Sequence, residues 1–200
     1  MVNYRSETIV TPSIPTGDMN PLERLLLSLI FSEEEWSDGV DFYSWVGPRE
    51  VVSPLPNELR SAWEASQACN GLSNPRIAEV LAQFEALKDE ERPLTIDIDI
   101  SSLEGGWPGI LQDVVRRSTS LDEVVIHIAQ TCSHLVPDGF GGEVTRITAD
   151  RIQFGSTAGL LATMRALAPS TSNCMGEEDT RVYIETVAQA CGSDGATMLT

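Results

Sequence analysis

The chain has 200 residues, 42% of them hydrophobic, which is enough to bury a core in one ordinary domain or in two small ones. Its 30 acidic residues outnumber the 13 basic ones and give a net charge of −17. Because such a surface repels phosphates, the composition argues against direct binding to nucleic acids or to anionic membranes. A charged partner is therefore expected to be a basic protein. An acidic surface that serves only solubility is the alternative.

The four cysteines, Cys69, Cys132, Cys174 and Cys191, lie far apart and form no C-x-x-C motif. Free, buried thiols are expected, and no metal or other cofactor is predicted. The N-terminus lacks the basic start and apolar stretch of a secretory signal. The longest apolar stretch, 25–31, is far shorter than the roughly 20 residues that span a bilayer. These features predict a cytoplasmic protein.

The first part of the chain is predicted to change from an extended arm to a helical region. Residues 1–19 contain Pro12, Pro15 and Gly17 among Ser and Thr, which favour an extended arm. Residues 20–92 are predicted to be helical. The first helix should begin at Asn20, since Asn is a good N-cap, Pro21 suits the first turn and Glu23 can complete a capping box.

The second part, residues 94–190, is predicted to be an α+β region that packs with the helices as one unit, followed by a tail at 191–200. The order of elements corresponds to a ferredoxin-like split β-α-β sheet. The fold class predicted is thus α+β, with an N-terminal helical layer followed by that sheet. The predicted elements are a strand at 95–100, a helix at 110–118, strands at 124–131 and 143–148, a helix at 156–167 and a strand at 182–187.

Asp97 and Asp99 are the first candidate site, because residues two apart on a strand project from the same face. Such a pair could hold a divalent cation or act as an acid and a base, and His127 on the second strand could join it. A solvated polar sheet face, without chemistry, is the alternative interpretation. The sequence predicts no metal site other than this candidate.

Cys132 and His134 are the second candidate, since a thiol near an imidazole can form a nucleophile and base pair. No third residue that would orient the histidine can be named from the sequence. Side chains two apart on a strand point the same way but seldom touch, so a structural role is the alternative.

An acidic and aromatic segment is the richest candidate for binding a partner. Carboxylates attract a cationic surface over long distances, and aromatic side chains supply the buried anchors of protein interfaces. The alternative is an acidic loop whose aromatic side chains turn into the core. The predicted partner-binding residues are Glu33, Glu34, Glu35, Trp36, Asp38, Asp41, Phe42, Tyr43 and Trp45.

The block 107–157 contains the sequences PGILQDVVRRS, PDGFGG, ITAD and GST. This block is similar to small uncharacterised proteins that occur on bacterial phages and plasmids. The resemblance implies no activity and no site residues, but it implies a mobile-element setting. In that setting, an acidic protein that occupies the basic surface of a host nucleic-acid-binding protein is expected, as in DNA mimics and anti-CRISPR inhibitors.

The sequence therefore predicts an acidic, non-enzymatic binding protein of this kind. Two other functions stay open. One is a small enzyme, metal-dependent through Asp97 and Asp99 or thiol-dependent through Cys132. The other is a structural or assembly protein, which exposed aromatic side chains at Trp36, Phe42 and Trp45 would favour.

Overall fold

The computed structural model describes residues 4–134 and 139–167 of the chain. The described part has a mixed α+β fold with five α-helices and a mostly antiparallel six-stranded sheet. The chain divides into two compact units, residues 1–155 and residues 156–200. The elements are β1 (Tyr4–Thr11), α1 (Pro21–Ile30), β2 (Ser32–Glu35), β3 (Val40–Ser44), β4 (Val51–Val52), α2 (Pro56–Ala65), α3 (Asn74–Ala86), β5 (Ile98–Asp99), α4 (Gly106–Arg117), β6 (Glu123–Cys132), β7 (Gly141–Thr148), β8 (Ile152–Ser156) and α5 (Thr157–Leu167).

The six strands of the main sheet follow the order β2-β3-β1-β6-β7-β8. β1 lies in its interior and pairs antiparallel with β3 on one side and with β6 on the other. The β6 and β7 strands lie at the two ranges predicted as strands, 124–131 and 143–148, and they pair antiparallel. A separate two-stranded sheet consists of β4 and β5. β1 therefore joins the hairpin β2–β3 to the strands from the second half of the chain.

The segment predicted as an extended arm, 1–19, contributes this interior strand. Tyr4–Thr11 is extended, but it is paired along its whole length with β6 and is not a free arm. Thr8 and Val10 are buried while Ile9 between them is half exposed, which is the alternation of a strand with one covered face. The prolines at positions 12 and 15 follow the strand and do not interrupt it.

The described strands do not form the predicted ferredoxin-like arrangement. The strand expected at 95–100 is reduced to Ile98–Asp99, and it pairs with Val51–Val52 in the separate two-stranded sheet. The strand β5 ends at Asp99 because a short 3-10 helix, Ile100–Ser102, begins there. The carboxylate of Asp99 caps this helix by accepting a hydrogen bond from the backbone N–H of Ser101 at 2.9 Å. The predicted strand at 182–187 and the tail at 191–200 lie outside the described residues.

Helix α1 begins where the sequence predicts. The side-chain oxygen of Asn20 accepts a hydrogen bond from the backbone N–H of Glu23 at 2.9 Å. In return, the carboxylate of Glu23 accepts one from the backbone N–H of Asn20 at 3.0 Å. This capping box, with Pro21 at the first helical position, confirms the predicted helix start.

The core lies between the helices and one face of the main sheet, which we call the inner face. Helix α4 packs against β6 and β7, α1 contacts both α4 and α2, and α2 contacts α3. Since α4 comes from the second half of the chain, the helices that cover the sheet are not an N-terminal layer alone. The inner face supplies buried side chains to this core, among them Val10, Phe42, Val124, Ile126 and Ile147.

Candidate interaction surface

The opposite face of the sheet, which we call the outer face, carries apolar side chains that are exposed to solvent. Ile9 pairs with Tyr43 of β3 on one side and with His127 of β6 on the other, and His127 pairs with Val144 of β7. Ile9 is 50% exposed and Val144 is 43% exposed. His127 is exposed and Tyr43 is half-buried. These four side chains form a cross-strand row over four adjacent strands.

Trp45 and Val46 extend this exposed surface beyond the end of β3. Trp45 is 66% exposed and Val46 is 79% exposed. The ring of Trp45 meets the ring of Tyr43 edge to face, with centroids 6.3 Å apart. The hydroxyl of Ser44 donates a hydrogen bond to the carbonyl of Gly47 at 2.6 Å, which closes the turn. The turn and the Tyr43 ring therefore hold Trp45 against the cross-strand row.

Arg146 lies on β7, two residues along the strand from Val144 of the cross-strand row. The guanidinium of Arg146 donates a hydrogen bond to the carboxylate of Glu123 at 2.6 Å and another to the side chain of Gln153 at 3.2 Å. The positive charge of Arg146 is thus already paired with a carboxylate of the same face. It adds little attraction for an anionic ligand.

The hairpin β2–β3 places part of the predicted binding segment toward the helices. Glu33 accepts two hydrogen bonds from Arg24 of α1, at 2.6 and 3.0 Å, and Glu35 lies 3.6 Å from the same guanidinium. Arg24 also lies over the ring of Phe42, 5.7 Å from its centroid. Phe42 is fully buried. Phe42 therefore belongs to the core, and Glu33 and Glu35 share one arginine on the inner side of the sheet edge.

The other residues of the predicted segment face solvent. Asp41 accepts hydrogen bonds from the hydroxyl of Ser13 and, at 2.8 Å, from the indole N–H of Trp36. Trp36 remains 53% exposed. Glu34 lies opposite Asp41 in the register, and Asp38 lies in the connection between the strands. Within the part of the chain that the structure describes, neither Glu34 nor Asp38 has a basic side chain within ion-pair distance.

Internal ion pairs engage most of the basic side chains in 4–134 and 139–167. Because each pair neutralises one basic group, the excess carboxylates set the sign of the surface potential. The pairs are Arg24 with Glu33 and Glu35, Arg60 with Glu85, Arg76 with Glu79, Lys88 with Glu91, Arg92 with Asp89, Arg116 with Asp113, Arg117 with Glu23 and Arg146 with Glu123.

Asp97 and Asp99 are both exposed, on the same side of their segment, but the structure does not bring His127 to them. His127 lies in the other sheet. The carboxylate of Asp97 accepts a hydrogen bond from Ser53 at 2.6 Å. Hydrogen bonds from Ser101 lower the pKa of Asp99 below its usual value of 3.8. In the described residues, no three His, Cys, Asp or Glu side chains are grouped so that they could hold a metal ion.

Cys132 is the last residue of β6, and His134 follows two positions later. Cys132 is half-buried and pairs with Tyr4 across the strands. The Nδ1 atom of His134 lies 3.1 Å from the hydroxyl of Ser133, and the ring is exposed. No hydrogen bond between Cys132 and His134 is found in the described part of the chain. Among the described residues, no histidine forms a hydrogen bond with this thiol, which is the contact that would activate it as a nucleophile.

A groove between α2 and α3 has a volume of about 390 Å³. Arg60 on its wall forms an ion pair with Glu85 at 2.8 Å. Arg92 forms one with Asp89 at 2.7 Å and lies over the ring of Phe84, 5.7 Å from its centroid. Both guanidinium groups are therefore already engaged. The groove is lined by Leu55, Pro56, Asn57, Glu58, Arg60, Phe84, Arg92 and Leu94.

Sequence reasoning missed two members of the cross-strand row, Ile9 and Val144. The alternation Thr8-Ile9-Val10 could have shown a strand, but local alternation does not show which face the helices cover. The exposed position of Ile9 follows from the place of β1 inside the sheet. That place is set by pairing with residues more than 100 positions away, such as His127.

Comparisons with protein-family models, curated proteins and solved structures found no match to this chain. The resemblance of block 107–157 to phage and plasmid proteins therefore stays a prediction. None of the helices in the described ranges combines the length and the apolar character needed to cross a membrane.

Proposed function

We propose that this protein is a non-enzymatic binding protein that engages a basic partner protein through the outer face of its sheet. The observation that carries the proposal is the cross-strand row Tyr43, Ile9, His127 and Val144 together with the exposed Trp45. Exposed apolar side chains that lie next to one another on a regular surface are characteristic of interaction sites.

The composition of this surface suits an interface. Trp and Tyr concentrate binding energy because they bury a large area and lose little conformational freedom. Trp45 and Tyr43 are in contact, so a partner that covers one also meets the other. Ile9 and Val144 add aliphatic area on the same face. A partner that buries this row would gain about 25 cal/mol for each Å² of apolar surface removed from water.

Charge supports a basic partner more than a second copy of the chain. Two copies, each with a net charge of −17, repel each other. Glu34 on β2 and Asp38 in the β2–β3 connection are both exposed, and within the described ranges neither has a basic side chain at ion-pair distance. Their field attracts a cationic surface over distances comparable to the Debye length, about 10 Å at moderate salt.

A narrower form of the proposal is that the partner is a host nucleic-acid-binding protein, whose phosphate-binding surface the chain would occupy. The net charge supports this form. The exposed carboxylates lie on several elements, including Glu34 on β2, Glu64 on α2 and Asp97 before β5, which suits a generally acidic surface equally well. A competition experiment distinguishes a surface that imitates DNA from a generally acidic surface. The narrower form requires double-stranded DNA to displace the protein from its partner.

The proposal is tested with a double variant of the outer face, Ile9→Ser with Trp45→Ser. The matched control is Val51→Ser with Leu94→Ser, at apolar positions that are 53% and 89% exposed elsewhere in the structure. The wild type and both variants are immobilised, and proteins captured from a bacterial lysate at low ionic strength are identified by mass spectrometry. The captured protein is then purified and titrated by isothermal calorimetry.

The expected result is a basic protein whose affinity falls at least tenfold, or about 1.4 kcal/mol, with the outer-face variant and is unchanged with the control. Its affinity should also fall as salt is added. Retention of the same proteins by the wild type and by the outer-face variant would contradict the proposal, as would a captured partner with an acidic surface.

A further inference from the structure

Among the strands in residues 4–134 and 139–167, β2 is at one edge of the main sheet, and all four of its residues, Ser32–Glu35, are exposed. An edge strand presents backbone N–H and C=O groups that no neighbouring strand engages. Such an edge can accept an extended segment of another protein as an additional strand. With four residues at about 3.4 Å each, β2 offers an edge of roughly 14 Å.

The hydrogen-bond pattern shows which amides of β2 face outward. The N–H of Trp36 donates to the carbonyl of Gly39 at 2.8 Å, so these residues form a hydrogen-bonded pair of the hairpin. Because bonded and non-bonded pairs alternate in antiparallel strands, Glu35 and Val40 form a non-bonded pair. The N–H of Val40 accordingly points away from β2, where it donates to Ile14 at 2.9 Å. It follows that the amides of Glu33 and Glu35 point to the open edge.

Carboxylates lie on both sides of this open backbone. Glu34 and its partner Asp41 lie on the outer side, while Glu33 and Glu35 lie on the inner side and share the single guanidinium of Arg24. An added strand would place alternate side chains next to these two sets. Basic side chains would be attracted on either side, whereas acidic ones would be repelled.

The same carboxylates determine which kind of strand can pair with the β2 edge. If β2 of a second copy paired with this edge, its own three glutamates would lie directly against Glu33, Glu34 and Glu35, and like charges opposite each other destabilise strand pairing. The edge thus excludes its own copies and selects a cationic segment. The other edge, β8, has the sequence IQFGS without any charged residue and offers no such selection.

We propose that the basic partner presents an extended, lysine- or arginine-rich segment that adds to β2 as a further strand of the sheet. This inference rests on the proposed function and specifies how the partner is recognised. Backbone hydrogen bonds to the amides and carbonyls of Glu33 and Glu35 would hold the segment. The carboxylates on the two sides would favour basic side chains in it.

The probe for this mode is a capped seven-residue peptide in which lysine alternates with valine. Its control is the same peptide with every backbone nitrogen methylated, which keeps the charge but removes the N–H donors. Both peptides are titrated into the full chain by isothermal calorimetry, and amide hydrogen exchange is followed by NMR. We expect the methylated peptide to bind at least tenfold more weakly. We also expect slower exchange at Glu33 and Glu35 only with the unmethylated peptide.

A pair of variants tests the backbone independently of charge. Glu35→Pro removes the outward N–H and the carboxylate, whereas Glu35→Gln removes the carboxylate alone; the hairpin bond of Trp36 to Gly39 is kept in both. We expect the proline variant to bind the peptide at least fivefold more weakly than the glutamine variant. Circular dichroism establishes that both are folded, and the comparison of peptides on the wild type does not depend on either variant.

The outcomes separate this inference from the proposed function. Equal binding of the two peptides would overturn strand addition, while loss of partner capture with the outer-face variant would still support the proposed function. Absence of binding by either peptide would also overturn strand addition. Selective binding of the unmethylated peptide, with slower exchange at Glu33 and Glu35, supports it.

Discussion

Replacement of Glu23 by glutamine is expected to change how stability depends on pH. The Glu23 side chain is only 4% exposed, and its carboxylate accepts hydrogen bonds from Arg117 and from the backbone N–H of Asn20. Burial raises the pKa of Glu23 above its usual value of 4.5; the opposing effects of Arg117 and Asn20 are smaller, and Asp113 nearby adds to the rise. In the folded state Glu23 therefore holds its proton to a higher pH than in the unfolded state.

The sign of the pH effect follows from proton linkage. Where the folded chain binds more protons than the unfolded chain, the free energy of unfolding falls as pH rises. For Glu23 this window begins near the unfolded value of 4.5 and extends upward to its raised pKa. Glu23→Gln has no proton to exchange at this site, so the wild type should gain stability relative to the variant as pH is lowered from 7 toward 4.5.

At neutral pH, the losses of unfolding free energy in two variants, Glu23→Gln and Glu23→Ala, are expected to differ. Glutamine can still complete the capping box, so Glu23→Gln should cost about 1 kcal/mol or less. Glu23→Ala removes the hydrogen bond of the capping box and also the acceptor for Arg117, so Arg117 is left unpaired. Removing one partner of a fully buried pair costs about 3 to 5 kcal/mol. Because the Arg117 side chain is 31% exposed and can still be hydrated, the expected cost is lower, about 2 to 3 kcal/mol.

Urea denaturation, followed by tryptophan fluorescence at several pH values between 4.5 and 7, provides the free energies. The reasoning would be refuted if the wild type lost stability relative to Glu23→Gln on acidification. That result would mean that Arg117 outweighs burial and lowers the pKa of Glu23. Parallel curves for the two proteins would mean that the pKa is the same in the folded and unfolded states.

Three further predictions concern the core, a helix turn and a surface carboxylate. Leu26→Ala, at a fully buried position of α1, should lower the free energy of unfolding by about 2 to 5 kcal/mol in urea denaturation. Gly109→Ala should lower the melting temperature in calorimetry, because the added Cβ would lie 2.5 Å from the backbone oxygen of Glu104. The pKa of Asp99, measured by NMR, should lie below 3.8, and Ser101→Ala should raise it. Any stability that Asp99 contributes is present above pH 3.8 and is lost as the pH falls through the lowered pKa.

Matched variants serve as controls for the first two of these. Leu94→Ala removes the same number of atoms at a position that is 89% exposed, so stability should change by no more than about 0.5 kcal/mol. Gly17→Ala introduces a Cβ that, apart from its two chain neighbours, meets no atom of the described residues within 4 Å, so it should leave the melting temperature nearly unchanged. Equal effects of Leu26→Ala and Leu94→Ala, or of Gly109→Ala and Gly17→Ala, would contradict the packing described for α1 and α4.

Local sequence signals predicted those elements whose cause is local. The start of α1 at Asn20 follows from residues within one helical turn, and the β6 and β7 strands follow from their own alternation. For residues 1–19 the prolines at 12 and 15 predict an extended arm, and they obscure the strand β1 that precedes them. Its partners in β6 lie more than 100 residues away, and no local pattern identifies them.

The candidate surface shows the same division between local and distant causes. The sequence indicated the acidic and aromatic segment, but only pairing with β1 and contact with α1 decide which of its side chains face solvent. Phe42 alternates with Asp41 and Tyr43, so a strand could be anticipated there. That Phe42 points to the helices and Tyr43 to solvent depends on where Arg24 and the helices lie.

The sheet separates the two physical requirements of recognition in space. Carboxylates gather at the β2 edge, where exposed charges act over long distances and mainly affect how fast a partner associates and how salt changes that rate. The apolar side chains of the cross-strand row and Trp45 lie farther inside the outer face, where burial of short-range contacts mainly determines how slowly a partner leaves. Because β1 lies between β3 and β6, it places Ile9 at the centre of a surface that begins at the acidic edge. A partner guided to β2 by charge would therefore meet the apolar row on the same continuous sheet.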